Sequence, residues 1–158
     1  MIKLNLQTFG GRGGGSRMVP RSSAMSGGPV GGFTRADSST QGAHRDAVNT
    51  LNSPSYADGT YDISTMTPVD YDSGYQVTFS QIGDSYSDAE YADKVNEFLS
   101  VSSDGKTFAG KFEGTPEISF HCADRATAVR LAKKYNQISI WDWGACDEIK
   151  TGGTGRRQ

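Results

Sequence analysis

From residue 74 onward, apolar and polar positions follow two distinct periods. In Gly74-Tyr-Gln-Val-Thr-Phe-Ser-Gln-Ile82, Tyr75, Val77 and Phe79 alternate with polar residues, which predicts a strand with these three on one face. Ser87-Asp-Ala-Glu90 has the spacing of a capping box, in which serine and glutamate satisfy each other's end of the first turn. Behind it Tyr91, Val95, Phe98 and Leu99 recur at helical spacing. This helix should end near Val101, ahead of Ser102-Ser-Asp-Gly105. Lys106 to Phe112 reads as a strand with Phe108 and Phe112 on one face, and Glu113-Gly-Thr-Pro116 as a turn. Glu117 to Cys122 alternates again and predicts Ile118, Phe120 and Cys122 inward. Asp124 can cap a second helix with a stripe of Ala128, Leu131, Ala132 and Tyr135, and Asn136 suits its stop. Gln137 to Trp143 predicts a last strand with Ile138 and Ile140 inward. Gly144 then turns the chain toward Asp147-Glu-Ile-Lys150.

The order strand, helix, strand, strand, helix, strand predicts an α+β domain over 74–151. Its arrangement is the ferredoxin-like βαββαβ antiparallel sheet, with two helices on one face. Residues 152–158 read as a flexible tail. Residues 1–73 differ in composition: they hold 11 of the 20 glycines and 4 of the 5 prolines, with six acidic and six basic residues. So few large apolar groups do not offset a backbone ordering cost of roughly 1–2 kcal/mol per residue. This segment is therefore expected to be a long extended or disordered arm. Two islands interrupt it. Ile2, Leu4 and Leu6 alternate like a strand face, and Gly42 to Leu51 can form a short helix if something supports it.

A net charge of −2 argues against a strongly basic nucleic-acid binder, and residues 74–158 carry 10 basic against 12 acidic groups. No apolar run is long enough to span a membrane, and the N-terminus lacks the apolar core of a secretory signal. Cys122 and Cys146 do not form a disulfide framework or a metal-ligand pair, and no cofactor is indicated. His121 and Cys122 are neighbours on a strand and point to opposite faces, so His121 reads as a surface group and Cys122 as core. His44 falls in the arm. Asp84, Asp88 and Asp93 surround a helix start, where the dipole favours them. Gly10-Gly-Arg-Gly-Gly-Gly15 lacks the lysine and hydroxyl of a phosphate loop and suits a spacer. No catalytic residues are singled out, and the reading is non-enzymatic. The conspicuous feature is Trp141-Asp-Trp143. With Ile138 and Ile140 inward, both tryptophans face the open side of the sheet, beside Thr78, Ser80, Ser119 and His121. Three readings compete: they are covered by the chain's own arm or end segment, or anchor a protein partner, or stack nucleic-acid bases, for which no electrostatic anchor is present.

Leu4-Asn-Leu-Gln-Thr-Phe9, followed at once by Gly10-Gly-Arg-Gly-Gly-Gly15, resembles the start of many tailed-bacteriophage structural and morphogenesis-region proteins of Gram-positive hosts. Thr8 stands where those proteins carry the first of two aromatic residues. The resemblance implies a virion-associated or head-assembly protein. Such a protein would dock through its arm, with Ile2, Leu4, Leu6 and Phe9 as contact residues and phage head proteins as partners. It implies localisation in the virion or the host cytoplasm, and admits a homo-oligomer. The arm could reach on the order of 45 Å as a coil, and its terminal strand suits addition to a sheet edge. The alternative is an anti-defence protein of anti-CRISPR type that occludes a host complex through Trp141 and Trp143. A third reading, a nucleotide-handling enzyme, would use the open sheet face.

Overall fold

The computed structural model describes residues 35–79 and 86–155. Its elements are α1 (Thr40–Leu51), β1 (Gly59–Asp62), β2 (Tyr75–Phe79), α2 (Asp88–Leu99), β3 (Phe108–Phe112), β4 (Thr115–Cys122), α3 (Arg125–Lys134), β5 (Ser139–Asp142) and β6 (Asp147–Lys150). The strands form one antiparallel sheet in the order β1-β3-β4-β2-β5-β6. The ferredoxin-like expectation of four strands and two helices is thereby overturned, since the sheet has six strands and three helices accompany it.

Local chemistry explains the helix ends. Ser87 accepts from the Glu90 amide, and the Glu90 carboxylate accepts from the Ser87 amide at 2.8 Å, completing the capping box of α2. Asp124 accepts from the Thr127 amide at 2.7 Å and starts α3. Asn136 adopts φ 53° just past α3, and the amides of Gln137 and Asn136 donate to the carbonyls of Ala132 and Lys133. This is a Schellman end, with asparagine tolerating the left-handed region.

The helices share one core with one face of the sheet. Phe79 of β2 meets Tyr91 and Phe98 of α2 and Tyr135 after α3, at ring separations of 5.3–5.4 Å. Phe98 stacks on Phe120 of β4 at 4.6 Å. Val77, Ile118, Cys122, Leu131 and Ile140 fill the rest.

The supposed arm over 1–73 is corrected for its described part. Residues 35–73 supply α1 and β1, and Leu51 is fully buried in the common core. Ala36 is clamped to α2: its amide donates to Asn96 Oδ1 at 2.8 Å, and Asn96 Nδ2 donates back to its carbonyl at 3.2 Å. The composition hid this because α1 buries Gln41 and His44 beside Ala47 and Leu51. His44 lies 2.8 Å from the Tyr91 hydroxyl and 3.0 Å from Thr107 Oγ1, so hydrogen bonds replace an apolar face. The tail reading is also corrected for 152–155. Gly153 and Gly155 amides donate to the Gln137 and Asn136 carbonyls, and a Cβ on Gly153 would lie 2.1 Å from the Gln137 oxygen. Residues 1–34, 80–85 and 156–158 lie outside the described residues, and with them Ile2, Leu4, Leu6, Phe9, the Gly10–Gly15 run, Ser80 and Asp84.

One expected facing is reversed, that of Ile138, and β3 turns its aromatic face away from the helices. Phe108 pairs with Ser119, whereas Ala109 pairs with the core residue Ile118, so Phe108 sits on the side away from the helices. Ile138 precedes β5 and is 48% exposed. Among the described residues, no helix is long and apolar enough to cross a membrane.

Two outcomes follow from this packing. Leu51→Ala should destabilise the protein by about 2–5 kcal/mol in chemical denaturation, the cost of a cavity in a full core. Burial pushes the His44 pKa down to about 4 from 6.5. Below pH 6.5 the unfolded chain therefore binds a proton that the native state refuses, and stability falls as pH drops toward 4. Between pH 7 and 4.5 the wild type should lose about 2 kcal/mol more than His44→Gln in parallel denaturation series.

Candidate functional site

Alternation places the side chains of β2 and β4 on two faces, and the face opposite the helices is polar. Gln76 Nε2 donates to Ser119 Oγ at 2.9 Å, and Trp143 Nε1 donates to Gln76 Oε1 at 3.1 Å. Thr78 Oγ1 donates to Glu117 Oε1 at 2.7 Å. Beside this network lies a groove of about 310 Å³, lined among others by Gln76, Thr78, Gly110, Glu117, Ser119, Ile138, Trp141, Glu148 and Gly155. Gly110 pairs with Glu117, and its missing side chain leaves the space above that carboxylate open.

Half of the open face is closed by the chain itself. Tyr71, in the loop before β2, stacks on His121 with ring centroids 3.7 Å apart and 13° between planes. It meets Phe108 and Trp143 edge-on at 5.9 and 5.8 Å, and its hydroxyl donates to Asp104 Oδ2 at 2.5 Å. His121 is buried, which corrects its reading as a surface group. Its Nδ1 meets Ser103 Oγ and its Nε2 lies 2.7 Å from the Ser73 carbonyl. Gly74 makes the close approach: its φ is 89°, and a Cβ there would fall 2.4 Å from His121 Nε2.

The two tryptophans therefore have different roles. Trp143 is buried under Tyr71, and Trp141 is half-buried on the groove wall, at 6.4 Å from the Trp143 ring. Cys122 is buried in the core, where desolvation pushes its thiol up to about 11, while Cys146 is exposed in the turn before β6. Among the described residues, no cluster of three or more His, Cys, Asp or Glu side chains could hold a metal ion.

Sequence reasoning missed Glu117. Burial pushes its carboxyl up to about 7, against the opposing hydrogen bond from Thr78. The signal was available: Glu117, Ser119 and His121 are the positions that alternate with Ile118, Phe120 and Cys122. The arrangement offers a shaped polar surface with one carboxyl able to exchange a proton near neutrality. No known protein family, curated protein or solved structure matches the chain.

With its folded pKa raised, Glu117 makes the native state hold a proton that the unfolded chain releases above about 4.5, so its contribution favours folding at low pH and fades as pH rises through 7. Glu117→Gln keeps an acceptor for Thr78. Relative to that variant, the wild type should lose about 1–3 kcal/mol between pH 4.5 and 8 in denaturant titrations.

Proposed function

We propose that the chain is a phage-encoded, non-enzymatic protein, virion-associated or engaged in head assembly, that docks through its N-terminal segment. The observation that carries this reading is the Leu4–Phe9 segment and its glycine run, placed ahead of a self-contained folded unit. Among the described residues, the core of that unit runs from Ala36 to Ile140. Its open face keeps Gln76 bonded to Ser119 and Trp143, and Thr78 to Glu117, an arrangement suited to a standing recognition surface. Ile2, Leu4, Leu6 and Phe9 are the proposed contacts, and phage head proteins the proposed partners. Repetition over a symmetric particle would let each contact be weak. The virion or the host cytoplasm is the corresponding location.

The anti-defence alternative drew on Trp141 and Trp143 as a paired exposed anchor. Trp143 is 6% exposed beneath Tyr71, which withdraws half of that anchor and favours the assembly reading.

Deletion of residues 1–16 should abolish co-purification with phage particles while leaving the thermal unfolding of the domain in place. Undiminished incorporation of the deleted chain would overturn the proposal, and so would absence of the intact chain from purified particles.

A further inference from the structure

Strand register puts Thr60 of β1 opposite Gly110 of β3, and Gly110 opposite Glu117 of β4. Directly paired residues share a face, so these three form one row on the open side of the sheet, and all three line the groove. Gly110 is the gap in that row. Its missing side chain leaves a dent flanked by the Thr60 hydroxyl and the Glu117 carboxyl. On β5, Trp141 pairs with Gln76 and walls the groove beside Ile138. From β1 to β5 the groove crosses four strand spacings, about 19 Å.

The floor offers hydrogen bonds that the fold does not use up. Glu117 Oε1 takes the Thr78 hydroxyl, and its Oε2 meets no described residue. Ser119 Oγ accepts from Gln76 and donates to no described residue, and the Thr60 hydroxyl is bonded to none. Desolvation raises the Glu117 carboxyl to about 7, so near neutrality it both donates and accepts.

Charge narrows the choice of occupant. Among the described residues lining the groove, the one cation is Lys111, and it donates to the Ser53 and Tyr56 carbonyls at 3.1 and 3.0 Å. Nothing is thus left to hold a phosphate or a carboxylate. The three carboxyls do not make a cation site either. Glu148 is held by Lys150 at 2.6 Å and by the Ser139 hydroxyl, and Glu117 is half-protonated at neutrality. Glu113 stands exposed in the turn between β3 and β4, where water and salt screen it. A peptide strand finds no backbone to pair with over the floor, because β3, β4 and β2 each have a neighbour on both sides.

We propose that the groove binds a neutral oligosaccharide, with one ring against Trp141 and Ile138 and another seated over Gly110, between Thr60 and Glu117. Sugar hydroxyls both give and accept hydrogen bonds, as the floor does, and the C–H faces of the rings pack on the electron-rich face of an indole. The inference is independent of the docking role given to the N-terminal segment, because it concerns the isolated chain in solution.

The test titrates the full chain with cellohexaose, maltohexaose and N-acetylchitohexaose, following the NMR signals of the Trp141 indole and the Glu117 carboxyl. At least one of these sugars should shift both signals saturably, with a Kd of about 1 mM or tighter. A Cβ at Gly110 would meet Glu117 Cγ at 3.5 Å, an ordinary contact, so Gly110→Ala should keep the fold while filling the dent. Gly110→Ala and Trp141→Ala, followed at Glu117, should each weaken binding about tenfold or more, with thermal unfolding showing that the domain persists. If one variant fails to fold, the other decides. Absence of shifts with all three sugars overturns the proposal, and so does binding that the folded variants leave unchanged. Shifts produced by spermine or by hexathymidylate, and by none of the sugars, overturn it in favour of a cation or a nucleic-acid site.

Discussion

Phe98 is the piece on which the remaining structure rests. It stacks on Phe120 of the sheet, touches Phe79 on the neighbouring strand, and lies 4.8 Å from Tyr135 at the end of α3. Two helices and two central strands thus meet around one fully buried ring. Aromatic groups of this size dominate core energetics and hold preferred mutual geometries, so they set where α2 and α3 sit on the sheet. Once these are placed, β2 is central, its even-numbered side chains face the other way, and the polar face has its floor.

Burial on the helical side explains why that other face can be polar. Val77 and Phe79 saturate one side of β2 with core contacts, while Gln76 and Thr78 satisfy themselves against Ser119 and Glu117 on β4. The Tyr71 loop covers the half nearest His121 and Trp143, and the half bearing Glu117, Trp141 and Gly155 stays open as a groove. The sheet's outer edges, β1 and β6, are only four residues each, which limits unplanned strand pairing there.

The legible parts of the fold were those written in strong local signals. The capping box at Ser87, the Asp124 cap, the Asn136 stop and the inward set of Ile118, Phe120 and Cys122 all follow from short-range chemistry and period. What escaped was structure built on polar burial. Helix α1 hides His44 and Gln41 behind an unremarkable composition, and β1 is a four-residue edge strand with no period of its own. Without those two elements the sheet looked four-stranded. Alternation places Ile138 inward, yet it falls before β5 begins, where the pleat does not constrain it. In the groove, Thr78, Ser119 and Trp141 were legible as an outward row. Glu117 was not, because its importance comes from the desolvation imposed by its surroundings, which no linear pattern displays.

The reciprocal bond between Ala36 and Asn96 gives the molecule a polarity. It fastens the incoming backbone to α2, on the opposite side of the sheet from Glu117 and Trp141. A pull on the backbone at Ala36 would thus load the helical side of the sheet and leave the carboxylate-bearing trough on the other, like a bracket whose bolt and hook lie on different sides. The two sides are sterically separate, so a contact made on one does not obstruct the other.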